Sequence, residues 1–366
     1  MRNFSKVKRI VVKIGTNTLT KDERIDTEYI ADIAGQIAAL VNDGRQVLIV
    51  SSGAIGLGAS RLKFQGPVFD MSMRQACAAI GQPLLLQEYR KAFDQHNIEA
   101  GQVLLTAEVL NQRKTYLNLR NSIETLLKLG VVPVMNENDS VSTDEIGSAF
   151  GDNDTLSALI ASKIDADLLI MLSDIDALYD KDPKRNADAK PIRAVYEITS
   201  EIVKNAGKSG SKHATGGMKT KIDAARIASN ADCRIVLANG RVDDVVGRIM
   251  AGEEIGTVFL PKRKLSNRAR WILNNAVAGT ITIDDGALEA VRNRKSLLPS
   301  GIVRIEGQFA SGAVVMLNDA AKAVTNFSSE ELQSLAGKHS SEIREKLGKE
   351  RRDVVAVPED IVFIDY

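Results

Sequence analysis

The sequence predicts an α/β protein: a three-layer αβα sandwich around a mostly parallel sheet, followed by a small β-rich domain. Three observations carry that expectation. Short runs of Val, Ile and Leu recur through the first 260 residues, helical patterns lie between them, and glycine-punctuated β-like pieces take over near Pro261. Fully apolar runs suit strands buried on both faces. Strand alternating with helix gives right-handed parallel crossovers, with helices on both sides of the sheet.

The runs are Ile10–Ile14, Val47–Val50, Val103–Leu105, Val131–Met135, Leu168–Leu172 and Ile235–Ala238. The clearest helical pattern puts Ile30, Ile33, Ala34, Ile37, Leu40 and Val41 on one face and stops near Gly44. A second runs from about Met218 to Asn230, and a third covers Leu156–Ile164 with Asp152, Asn153 or Asp154 as its N-cap. Past Pro261 comes a basic connector with Lys262, Arg263, Lys264, Arg268 and Arg270. The β-like pieces Gly279–Ile283, Gly301–Ile305 and Val314–Leu317 follow, separated by turns at Gly301, Gly307 and Gly312. Residues 318–350 are more polar and are expected to hold a helix. The expected division is 1–260 for the first domain, 261–274 for the connector and 275–366 for the second domain.

Composition excludes several classes of function. The 366 residues carry 48 Lys and Arg against 47 Asp and Glu, a net charge of +1, which argues against a partner held by bulk charge. No run approaches the ~20 apolar residues that a membrane-spanning helix needs. The N-terminus lacks the pattern of a signal peptide, so a soluble cytoplasmic protein is expected. Cys77 and Cys233 form no CxxC pair, which signals neither a disulfide framework nor a zinc site. His96, His213 and His339 have no partner at metal-ligand spacing and read as surface residues. There is no G-x-S-x-G elbow and no EF-hand loop.

In a doubly wound sheet, ligands bind beyond the carboxyl ends of the strands, so the residues after each run deserve inspection. Lys13 stands beside Gly15 and two threonines; it either snorkels to the surface or faces an anion at the sheet's edge, and the anion reading is the better one. Ser51, Ser52 and Gly53 open a Gly53-x-x-Gly56-x-Gly58 pattern whose spacing is wrong for a dinucleotide fingerprint. These small residues either let a ligand approach closely or pack a helix onto the sheet. Asn136–Asp139 and Gly151–Asp154 are dense in carboxylates and amides. Residues 207–221 hold four glycines and four lysines and then open a helix. Such a loop either cradles phosphate oxygens or is a solvated connection; it is not a Walker A loop.

Taken together and in order, Val12–Thr16, Val50–Ile55, Asn136–Asp139, Gly151–Asp154 and Thr215–Lys221 resemble the glutamate 5-kinases of the amino acid kinase family. The resemblance covers about residues 7–260, and the tail resembles a PUA domain. It implies ATP-dependent phosphorylation of the γ-carboxylate of L-glutamate to L-glutamyl 5-phosphate, the first step of proline synthesis, with proline as feedback inhibitor. It assigns Lys13 and Lys221 as the phosphate-contacting lysines, with Asp154 and Asp174 as candidates for orienting them. Nucleotide contacts fall on Ser173, Asp174, Thr215, Gly216, Gly217, Met218, Lys219, Thr220 and Lys221, besides Lys13. The glutamate site falls on Ser52, Gly53, Asn136, Asp139, Asp152 and Asn153. Mg²⁺ is expected to arrive with ATP, without a metal site of the protein's own. A homodimer or homotetramer and a partnership with glutamyl phosphate reductase are implied by analogy.

The chemistry agrees with the residues. A carboxylate with a reference pKa of ~4.3 is already ionised at neutral pH, so the attacking oxygen needs no base. The difficulty is bringing an anion against a polyanion, which calls for positive charge and in-line positioning. The rivals are a sister kinase acting on acetylglutamate, aspartate, carbamate or UMP, and an RNA-binding protein. Against the first stand the Lys-Ile-Gly-Thr opening, where aspartate kinases show Lys-Phe-Gly-Gly-Thr-Ser, and the PUA-like tail. Against the second, residues 276–366 hold 11 Lys and Arg against 14 Asp and Glu, a deficit of three where RNA binding shows a basic footprint.

Overall fold

All six apolar runs form strands of one sheet in the computed structural model, which describes residues 2–364 apart from 22–23, 65, 67, 107–108, 111, 142–152, 184, 208–216, 262–264 and 338–353. The sheet has eight strands, ordered Ala194–Val195, Thr257–Phe259, Arg234–Asn239, Leu168–Ser173, Arg9–Ile14, Gln46–Val50, Val132–Glu137 and Ala100–Leu105. Every neighbouring pair is parallel except Arg234–Asn239 with Thr257–Phe259. Strand Arg9–Ile14 is central. On one side the chain continues to Gln46–Val50, and on the other it returns much later as Leu168–Ser173, so the strand order reverses at this point.

Side-chain alternation along the strands sorts residues into the two outer layers. Ile10, Val12 and Ile14 join the core beneath helices Thr27–Asn42 and Met71–Asp94, with Ile33, Leu85 and Phe93. Val11 joins the opposite core, beneath helices Asn153–Lys163 and Met218–Ser229, with Leu156, Ile160 and Ile222. Lys13 has the parity of Val11, so it faces the layer that holds the last two helices. By the same rule Asn136 has the parity of Val132 and Val134, which lie in the first core. Asn136 therefore faces helix Met71–Asp94.

Local signals explain the element ends. Asp26 accepts from Tyr29 N at the start of Thr27–Asn42, and Gly44 beyond its end has φ +82°. Helix Ala54–Arg61 starts from Gly53 at φ +93°, a left-handed conformation that a side chain would strain. The small residues of this segment pack one helix on another, not a helix on the sheet. A Cβ on Gly58 would lie 1.8 Å from Cys77 O, and one on Gly81 would lie 1.8 Å from Ala54 O, so helices Ala54–Arg61 and Met71–Asp94 meet backbone to backbone. The third expected helix spans Asn153–Lys163. Asp154 lies inside its first turn and is fully buried, so it is not the N-cap; Asp152 lies outside the described residues.

The chain divides into two compact units, Met1–Lys264 and Leu265–Tyr366. The second unit has its own five-stranded sheet, ordered Ile302–Glu306, Gly279–Ile283, Val314–Leu317, Ala321–Val324 and Ile361–Phe363. Its core, with Ile281, Leu317, Phe327 and Leu332, is separate from the two cores of the first unit. The helix expected in the polar stretch is Ser329–Leu335, opened by a capping box between Ser328 and Glu331. Among the described residues, no helix is long and apolar enough to cross a membrane.

Candidate active site

The carboxyl ends of the central strands bring together residues far apart in the sequence. Lys13 Nζ lies 2.5 Å from Asp154 Oδ1, and Lys221 Nζ lies 3.0 Å from Asp154 Oδ2. All three are buried: Lys13 is 5% exposed, Lys221 4% and Asp154 0%. Lys13 is carried by the central strand, Asp154 by the first turn of Asn153–Lys163 and Lys221 by the first turn of Met218–Ser229. Thr220 Oγ1 lies 3.0 Å from the same Asp154 Oδ2 and 2.7 Å from Gly217 O.

Electrostatics follow from this geometry. Burial by itself would raise the Asp154 carboxyl, but Lys13 and Lys221 overcome it and hold the group well below the ordinary carboxylate range. The anion that Lys13 faces is thus a carboxylate of the protein itself. Two ammonium groups share that one carboxylate at the N-termini of two helices, whose dipoles add positive potential. Asp174, at the end of strand Leu168–Ser173, is set differently. It accepts from Asn17 Nδ2 at 2.9 Å and from Ser173 Oγ at 3.0 Å. Burial pushes its pKa up, and these hydrogen bonds, with the charge of Lys221, bring it below the usual value.

A second cluster lies at the neighbouring strand ends. Asn153 Nδ2 reaches Ser51 O at 2.9 Å, Ser52 Oγ at 2.9 Å and Asn136 Oδ1 at 3.1 Å. The parallel pairing of Gln46–Val50 with Val132–Glu137 continues into Ser51 N donating to Met135 O, which brings Ser51 and Asn136 side by side. Asn136 Oδ1 also accepts from Glu137 N at 2.9 Å. Asp139 stands just beyond, its carboxyl raised to about 6 by burial and by the neighbouring Glu137 charge, with Arg74 opposing. The two clusters share one helix start, since Asn153 belongs to one and Asp154 to the other. The lysine pair is thereby joined to a cluster of amides and hydroxyls, with the Asp139 carboxyl nearby in the chain.

Lys13, Ser52, Asn136, Asn153, Asp154, Thr220 and Lys221 are therefore joined by direct contacts, and Gly53, Ser173 and Asp174 lie at adjacent strand ends. Gly217 and Met218 form the start of the helix that carries Lys221, and Lys219 is exposed on it. Asp152, Thr215 and Gly216 lie outside the described residues, as does most of the 207–221 loop. Sequence reasoning missed three contributors: Asn17, which holds Asp174; Gln82, whose Oε1 accepts from Asn136 Nδ2 at 2.8 Å; and Tyr89, whose hydroxyl is 3.0 Å from Ser51 Oγ. Gln82 had a legible signal, because it stands among Ala78, Gly81 and Leu85 where an apolar residue would be expected. Among the described residues, no group of three or more His, Cys, Asp or Glu is arranged to hold a metal ion.

The chain matches the amino acid kinase family over residues 8–239 and the PUA domain over residues 279–347. It belongs to the amino acid kinase family, and its lysine cluster stands at the strand reversal of that family's sheet. More particularly, it is 46% identical to a glutamate 5-kinase of Methanosarcina mazei, covering 99% of this chain and 97% of the relative. A glutamate 5-kinase of Methanosarcina barkeri is 47% identical over 97% of this chain and 96% of its own. One from Caldanaerobacter subterraneus is 46% identical over 98% of both.

Proposed function

We propose that this protein transfers the γ-phosphoryl group of ATP to the γ-carboxylate of L-glutamate, forming L-glutamyl 5-phosphate for proline synthesis. The observation that carries the reading is the Asp154 carboxylate shared by Lys13 and Lys221, one helix residue away from the Asn153, Asn136 and Ser52 network. Phosphoryl transfer between two anions needs charge neutralisation and alignment more than covalent chemistry. Lys13 and Lys221 neutralise the equatorial oxygens of the transferring group, while Asp154 holds both ammonium groups in register. The acceptor carboxylate is already ionised, so the attack needs no general base.

Asp139 and the Asn153 carbonyl oxygen accept hydrogen bonds from the substrate's ammonium group, and Ser52 contacts its carboxylate end. Asp154 is engaged by lysines and Asp174 by Asn17 and Ser173; Mg²⁺ would arrive with the nucleotide and would supply further charge neutralisation for its phosphates. Inhibition by proline, a homodimer or homotetramer, a partnership with glutamyl phosphate reductase and a cytoplasmic location belong to the same reading; family likeness supports them.

Trapping the acyl phosphate with hydroxylamine tests the assignment. ATP and L-glutamate should give the hydroxamate, and acetylglutamate and aspartate should give little. A signal with either of those and none with glutamate would reject the reading. Added proline in the same assay tests the feedback.

A further inference from the structure

Helix Met71–Asp94 lies beneath the acceptor-side strands and sends two polar groups up from its buried face, two turns apart. Tyr89, fully buried, reaches Ser51, and Gln82, 6% exposed, reaches Asn136, which is itself 2% exposed. Neither contact was assigned a role above. We propose that Gln82 is a positioning residue for the acceptor site, acting through Asn136 on Asn153.

The amide chain has one consistent direction. Gln82 Oε1 accepts from Asn136 Nδ2, so Asn136 Oδ1 is turned towards Glu137 N and Asn153 Nδ2. Asn153 Nδ2 is committed to Asn136, Ser51 O and Ser52 Oγ, which leaves its Oδ1 as the end that meets a ligand. Were Asn136 turned over, its Nδ2 would oppose two donors and its Oδ1 would oppose Gln82 Oε1. The fixed Glu137 N–H excludes that alternative, and Gln82 Oε1 supplies the acceptor that the Asn136 Nδ2 so directed requires.

A second observation separates this role from mere packing. Gln82 Nε2 is buried and has no hydrogen-bond partner among the described residues. An orphaned donor is unfavourable, and a methionine of similar volume would fill the space without it. What glutamine offers at this position is the Oε1 acceptor.

The inference rests on the reading of this cluster as the glutamate site. Gln82→Met should raise the KM for glutamate about tenfold or more in the hydroxamate assay, with the KM for ATP within about twofold and the melting temperature unchanged or higher. Gln82→Glu, which keeps an acceptor oxygen whether ionised or protonated, should restore most of the glutamate affinity. In an Asn136→Ala background, Gln82→Met should have no further effect. Gln82→Leu carries the same comparison if the methionine variant does not fold. An unchanged glutamate KM in a folded variant, failure of Gln82→Glu to recover it, or full additivity with Asn136→Ala would overturn the proposal. If the wild-type chain makes no hydroxamate from glutamate, it is the glutamate reading that fails.

Discussion

Two residues of the site titrate in opposite directions, because burial acts on both and charge decides between them. Asp154 has two cations against it and stays ionised. Asp139 has the Glu137 carboxylate beside it and is raised to about 6. If Asp139 receives the substrate's ammonium group, it must be ionised to do so, and glutamate KM should rise as the pH falls below about 6 while ATP KM does not follow. Asp139→Asn should have a high KM that no longer varies over that range; a pH profile of the two enzymes checks this. The stability sign follows separately. A carboxyl whose folded pKa is raised favours the folded state in acid, and that contribution is lost as the pH rises from about 4 through 6. With Lys221 acting on the transferring group rather than on the amino acid, as proposed, Lys221→Ala should lower kcat by orders of magnitude with little change in glutamate KM, measured in steady state.

At the scale of elements, the junction of helices Ala54–Arg61 and Met71–Asp94 shows how closely backbone packing governs the acceptor side. Gly58 and Gly81 are required by proximity: an added methyl would meet a carbonyl oxygen at 1.8 Å in each case. Gly58→Ala should destabilise the protein by about 3 kcal/mol or more in urea unfolding, since neither backbone can yield without displacing its helix. Gly56 in the same helix is exposed, and a Cβ there meets nothing within 4 Å. Gly56→Ala should stabilise by about 0.5–1 kcal/mol through helix propensity alone. The sequence shows three glycines in a row of small residues and does not reveal which one packs. Helix Met71–Asp94 is illegible for a related reason: Gly81, Cys77, Gln82 and Tyr89 share its buried face, so it lacks the apolar stripe that marks Thr27–Asn42.

At the scale of the whole molecule, each unit carries its own sheet and its own core. The lysine cluster and the acceptor cluster are built wholly from the first unit. Residues 1–264 expressed alone should therefore fold and retain ATP-dependent hydroxamate formation with glutamate. Loss of activity in a folded fragment would show that the second unit contributes to the site. The net charge of +1 is an average over unlike parts, with a deficit of three in the tail and paired lysines at the centre of the sheet.

The sequence by itself determined six of the eight strands of the main sheet, the mostly parallel order, the change of texture near Pro261 and the residue types of the candidate site, because each depends on neighbours in the chain. Apolar runs, caps and turns act over a few residues, and the motifs after the strands stand where the proposed site forms. Only the tertiary structure decided that Asp154 is a carboxylate shared by Lys13 and Lys221, that Asp174 pairs with Asn17 and Ser173, and that Gln82 and Tyr89 brace the strand ends from below. These contacts join residues tens to hundreds of positions apart. Their closeness is set by which strands become neighbours, by the side-chain parity that sends Lys13 and Asn136 to opposite faces, and by the way each helix start docks over the sheet.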